Sequence, residues 1–274
     1  SGLLMLAFAL AWGGMRDLGF VRRPLTLKTV RAELVSVSRA GISFGWGQRS
    51  LRLLMLASAV HTGVLIYGFY AWQPYFQDLL NTDTVWFAGL VAAGIAASTM
   101  IGNAVVGHFA RLCGKRTTLL IWASAIYAIA AVGVGVAPTF WLALTSLLIL
   151  TGTMGVIGPV RQAYIHQKAP AQQRATVVSF DSMIANVGGV GGQTGLGYLS
   201  KVQGFPTAYI VGGVTAIAAV PLLFLLRRLG EDADRIVGNA GSRSPSAAQG
   251  LAAAGAVDDK RYTSEVTRAA PSPK

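Results

Sequence analysis

The sequence predicts an all-α integral membrane protein built around six transmembrane helices. Three observations predict it. Of 274 residues, 53% are hydrophobic and only 12% are charged, with a mean hydropathy of +0.53, whereas a soluble domain carries about 25% charged residues. The charges are gathered into short segments that separate long apolar runs. Those segments alternate between basic and non-basic, as loops on the two sides of a bilayer do.

Residues 1–14, SGLLMLAFALAWGG, are apolar but shorter than the ~20 residues that span a hydrocarbon core. They read as the end of a truncated transmembrane helix whose preceding part is missing. Residues 15–50 form a basic loop. Within it Leu27, Val30, Leu34 and Val37 recur at helical spacing with Lys28, Arg31 and Arg39 at polar positions, the pattern of an amphipathic helix lying on a membrane surface.

The six spans lie within residues 51–228. Runs 53–77 and 84–110 each lack Asp, Glu, Lys and Arg and are long enough to cross. Residues 117–160 are charge-free over twice the length one span needs, and Ala137-Pro138-Thr139 divides them, because the residue before a proline is pushed out of the helical region. Residues 177–200 hold a single charge, Asp181, and residues 202–226 hold none, with Gln203-Gly204-Phe205-Pro206 as the turn between them. Residues 229–274 are rich in Ser, Ala, Gly, Pro and mixed charges without a periodic apolar face, so this tail is expected to be disordered.

Charge also sets orientation. Eight basic residues lie in 15–52, three in 111–116, three in 161–174 and eight in the tail from Arg227, leaving Lys201 alone on the other side. Cytoplasmic loops retain Lys and Arg, so loops 15–52, 111–116 and 161–174 and the C-terminal tail are predicted to be cytoplasmic, in a multi-pass protein of the inner or plasma membrane. The net charge of +12 belongs to these loops and not to a phosphate-tracking surface, so no nucleic-acid partner is expected. The lone Cys113 and three scattered histidines offer no metal site, no cofactor site and no catalytic cluster. The expected partners are the lipid bilayer and a small-molecule substrate.

Residues 107–116 read GHFARLCGKR. This resembles the short-loop signature of the major facilitator superfamily: Gly107, Gly114, Lys115 and Arg116 match, while Arg111 and Leu112 stand where the family has an acidic residue and a basic neighbour. Residues 158–180, GPVRQAYIHQKAPAQQRATVVSF, are similar to the tenth-to-eleventh helix connection of drug-efflux-like members. With the truncated helix, the long basic loop and six spans, the chain looks like the C-terminal six-helix bundle of that fold. The resemblance implies secondary active transport of a small molecule by alternating access, as proton-coupled efflux, with a missing N-terminal six-helix half as partner. The alternative is a complete half-size transporter or channel working as a homodimer.

Candidate site residues follow from helical geometry. Gly188, Gly192 and Gly195 lie within about 40° of Asp181 around one helix, and small-xxx-small pairs such as Gly188/Gly192 and Gly191/Gly195 let membrane helices approach. Asp181 follows Arg174 by seven residues, ~10 Å of helix, and is therefore shallow. That depth favours a gating ion pair with Arg174, Arg161 or a basic loop of the missing half; a proton-coupling site and a plain structural pair are the other readings. Asn186 and Gln193 share a face about 130° away, and Tyr67, Tyr70 and Gln73 form an arc on the first span. These five are the candidate substrate-cavity residues, with an interfacial belt as the rival reading for the tyrosines. His61, Gly94, Ser98 and Gly102 read as packing, and Pro159 and Pro221 as kinks.

Overall fold

The computed structural model describes residues 41–81 and 86–236, with isolated positions Gly2, Met5, Phe8, Ala9, Trp12 and Arg39. The five isolated positions before residue 14 are helical. The amphipathic stretch at 27–37, the beginning of the second run at 84 and the tail from 237 lie outside the described residues.

After a π-helical turn, Gly41–Trp46, come seven helices: α1 (Arg49–Leu80), α2 (Trp86–Cys113), α3 (Arg116–Val136), α4 (Phe140–Lys168), α5 (Arg174–Gln203), α6 (Phe205–Ala216) and α7 (Ala219–Arg228). The α6–α7 pair is the sixth span, interrupted at Ile217-Ala218. Pro221 lies four residues after Ile217 and has no N–H to donate to that carbonyl, so the helix is cut there. Pro159, in contrast, is accommodated inside an unbroken α4. The break at 137–139 is where it was expected, with Ala137 extended ahead of Pro138.

Two boundaries differ from expectation. Helix α4 continues through residues 161–168, so Arg161 sits on a helix and the connection shrinks to 169–173. Residues 231–236, expected to begin a disordered tail, are placed: Asp232–Asp234 forms a short 3-10 turn and Lys115 pairs with Arg235 as an isolated antiparallel bridge.

Among the described residues, five helical stretches are long and apolar enough to cross a membrane. Helix α5 is long enough, at 30 residues, but its many glycines and its Asn, Gln and Ser residues dilute its hydropathy. Its burial comes from packing on α1, and the helix backbones there nearly touch. A Cβ at Gly188 would stand 2.2 Å from the Ala59 carbonyl oxygen, and one at Gly192 would stand 2.4 Å from the Gly63 backbone. The α2–α4 pair repeats this arrangement: a Cβ at Gly102 would meet the Gly152 oxygen at 2.1 Å, and one at Gly155 the Thr99 oxygen at 2.3 Å. Ser98 and Thr151 hydroxyls bond across the same crossing at 2.7 Å. Exchanging the first three spans for the last three turns the α1·α5 crossing into α4·α2, the signature of an internal three-helix repeat.

Tyrosines tie the remaining helices together. Tyr75 donates to the Val134 carbonyl at 3.0 Å, Tyr127 to that of His61 at 3.1 Å and Tyr209 to that of Gly68 at 3.3 Å. Each hydroxyl is satisfied by a carbonyl of another helix, as an apolar interior requires.

Candidate functional site

At one end of the bundle Arg161 of α4 reaches Asp181 of α5. Its Nη1 donates to Oδ1 at 2.6 Å and to Oδ2 at 2.5 Å, and the side chains are 17% and 3% exposed. Of the partners considered for Asp181, Arg161 is the one engaged; Arg174 is exposed at the start of α5 and makes no ion pair with it. Asp181 also shares its helix face with the Gly188–Gly192 crossing. The pair therefore fixes α4 to α5 where α5 is already clasped by α1.

Beside it lies a second polar assembly that sequence reasoning missed. The Asp234 carboxylate accepts from the Thr117 backbone N–H at 2.7 Å and from its hydroxyl at 2.8 Å. It thereby caps the N-terminus of α3, where free N–H groups and the helix dipole favour an anion. Arg116 donates to Gln167 of α4 and to the Ala233 carbonyl, and Lys168 pairs with Glu231. The available signal was the acidic cluster Glu231, Asp232 and Asp234 directly after a span whose neighbouring loops are basic. In the short loop only Gly114 makes the turn, at φ +65°, with its N–H on the Ala110 carbonyl. Gly107 lies inside α2, outside the turn itself.

The tyrosine and amide wall divides. Tyr67 is 2% exposed and packs edge-on against Tyr209, ring centres 5.3 Å apart, with no hydrogen-bond partner for its hydroxyl. It belongs to the core, because α1 turns that side toward α6. Tyr70 is exposed and meets Phe69 edge-on, and Gln73 is half-buried. On α5, Asn186 is exposed and lines a shallow groove with Ser179, Ser182, Met183, Val187 and Val190. Gln193 is half-buried and its Oε1 is without a partner. His61 is buried against Tyr127 as packing, and its Nε2 has no hydrogen-bond partner.

Such a bundle, with a glycine-clasped helix presenting a partly polar outer face, matches known proteins. Residues 53–257 match the sequence model of the Major Facilitator Superfamily. The chain belongs to this superfamily. Among curated members it is 27% identical over 155 residues to a D-xylose transporter of Levilactobacillus brevis, an alignment covering 55% of this chain and 32% of that protein. It is 26% identical over 199 residues to D-xylose-proton symporter-like 1 of Arabidopsis thaliana, covering 68% of this chain and 36% of that one. The chain thus spans about a third of the length of the superfamily relatives it matches. In solved structures the fold is shared with the POT family transporter PepTSo, at TM-score 0.56, 16% identity, 72% of this chain and 40% of that one. It is also shared with a bacterial homologue of the human lysosomal transporter Spinster, at TM-score 0.53, 16% identity, 85% of this chain and 58% of that one.

Proposed function

We propose that this superfamily chain is the C-terminal half of a secondary transporter that moves a small polar solute, a pentose or related sugar, by alternating access and in symport with protons. The observation that carries the reading is the outer face of α5. Ser182, Met183, Asn186, Val187 and Val190 are all exposed on a helix whose opposite side is clasped against α1. That face mixes hydroxyl, amide and apolar groups, as a site for a hydroxylated solute requires, and a second helical half closing over it would form the cavity. The relatives' names support sugar as the substrate class and symport as the coupling. The drug-efflux direction expected from residues 158–180 finds no counterpart in those names.

In this reading Asn186, Gln193, Tyr70 and Gln73 contact solute, and Tyr67 does not. Arg161 and Asp181 make α4 and α5 move as one body, so the gating role expected for the pair lies in keeping this half rigid. The basic loops face the cytoplasm of the cell membrane that holds the protein.

The test is counterflow of labelled D-xylose in vesicles holding the intact transporter that contains this half. Saturable exchange that Asn186→Ala weakens, and accumulation driven by an imposed proton gradient, are expected. Absent exchange of aldoses together with proton-driven extrusion of amphipathic cations would overturn the sugar assignment in favour of efflux. The chain alone is expected to show no flux, and saturable uptake by it would favour the homodimeric alternative.

A further inference from the structure

On the bundle's outer surface, α2 and α3 splay apart over α4 and leave a groove of about 790 Å³. Its walls include Ile101, Phe109, Cys113, Trp122, Ile126 and Ile149, and Trp122 is 64% exposed. The hydroxyls that reach it are already committed: Ser98 to Ile95 and Thr151, Thr145 to Trp141 and Thr153 to Leu150. An occupant therefore meets no unsatisfied side-chain hydroxyl there and gains only by being hydrocarbon. From Cys113 to Ser98 the groove follows α2 for ~22 Å of helix, which covers the ~15 Å depth of one bilayer leaflet.

The mouth at the Cys113 end is charged. Lys115, one turn before Leu119 of the groove wall, is exposed there, and Arg235, also exposed, is held beside it by the bridge between their backbones. The neighbouring acids are largely neutralised: Glu231 pairs with Lys168 and Asp234 is buried on Thr117, leaving exposed Asp232 against Lys115 and Arg235. An apolar channel of leaflet length ending in excess positive charge has the polarity of one ligand class. We propose that this groove binds an anionic phospholipid, one acyl chain lying between α2 and α3 and the phosphate held by Lys115 and Arg235.

Cys113, the sole cysteine, lines the groove just below the mouth and reports occupancy. The purified chain in detergent micelles is titrated with phosphatidylglycerol or phosphatidylcholine while maleimide labelling of Cys113 is timed. Phosphatidylglycerol is expected to slow labelling saturably. Each basic residue near a headgroup is worth about fivefold in affinity, so Lys115→Gln with Arg235→Gln should remove roughly 25-fold of the preference over phosphatidylcholine. Thr153→Phe, which fills the groove, should abolish protection by either lipid. Quenching by bromine-labelled phosphatidylglycerol, taken as the difference between the chain and its Trp122→Phe variant, reads the same site should the filled variant not fold. Equal protection by the two lipids would mean ordinary bilayer contact and overturn the proposal. Protection by glycerol 3-phosphate alone would reduce the site to an ion site and overturn it too. So would a Cys113-to-Cys113 crosslink that lipid does not compete, which would seat a second copy in the groove.

Discussion

Asp181 is buried and Arg161 half-buried, each on an apolar helix that offers its charge no other partner of opposite sign. Removing one partner of such a pair costs about 3–5 kcal/mol because the other is left uncompensated. Asp181→Asn should therefore lower the melting temperature of the detergent-solubilised chain clearly, and adding Arg161→Gln should recover most of the loss. A double variant as unstable as the single one would show that the pair is not what anchors α4 to α5. Transport separates the remaining roles: if exchange at equal pH stays normal in Asp181→Asn while proton-driven flux disappears, the carboxylate carries a proton. Tyr67 makes a second residue-scale prediction. Its buried hydroxyl lies near Ser200 but makes no hydrogen bond of normal geometry, so Tyr67→Phe should leave stability within about 1 kcal/mol or raise it. Tyr67→Ala should cost about 3–5 kcal/mol through the cavity it opens against Tyr209. Thermal unfolding of both variants checks this, and a stable Tyr67→Ala with altered solute preference would return Tyr67 to the cavity wall. The arc of Tyr67, Tyr70 and Gln73 was legible in the sequence. Its orientation was not, since α1 is apolar and aromatic around most of its circumference and periodicity cannot say which side meets a neighbour.

At the scale of helices, association rests on close backbone approach. Lipid is as apolar as a leucine, so burying apolar surface between helices gains little and van der Waals contact decides. The two pairs of glycines on α5 test this directly. A methyl at Gly188 must displace the Ala59 carbonyl, whereas Gly191 has open space around its α-carbon. Gly188→Ala should cost about 1–3 kcal/mol by forcing α1 and α5 apart, and Gly191→Ala should be neutral or stabilising by up to about 1 kcal/mol through helix propensity. Comparable losses in the two variants, measured by thermal unfolding in detergent, would remove the crossing as the reason for the glycines. The sequence placed both pairs on the packing stripe; the structure engages Gly188 and Gly192 and leaves Gly191 and Gly195 open. Spacing defines a stripe of small residues, but only the neighbour's crossing point selects which of them touch.

For the whole molecule, the distribution of basic residues predicts a single topology, with loops around residues 115 and 168 on the same side as both ends of the bundle. Single cysteines at these positions, in a Cys113→Ser background, should resist a membrane-impermeant maleimide added outside intact cells and react after lysis. Labelling from outside would overturn the cytoplasmic assignment and the alternation of basic loops behind it.

The sequence alone determined that helices form, where five of the spans lie and that Pro138 separates two of them, because apolar run length and proline sterics act within a few residues of one another. It also pointed to the superfamily and singled out Asp181, since a lone carboxylate in an apolar run is conspicuous however the chain folds. Only the tertiary structure decided that Arg161 and not Arg174 meets that carboxylate. The choice depends on α4 continuing past residue 160 and so presenting Arg161 to α5. The same holds for the return of residues 231–236 onto the start of α3, where Asp234 meets Thr117 across 117 positions of chain. Contacts at such separations are set by how the helices cross, and helices of this apolarity can cross in many ways until glycine contacts and a few buried polar partners select one.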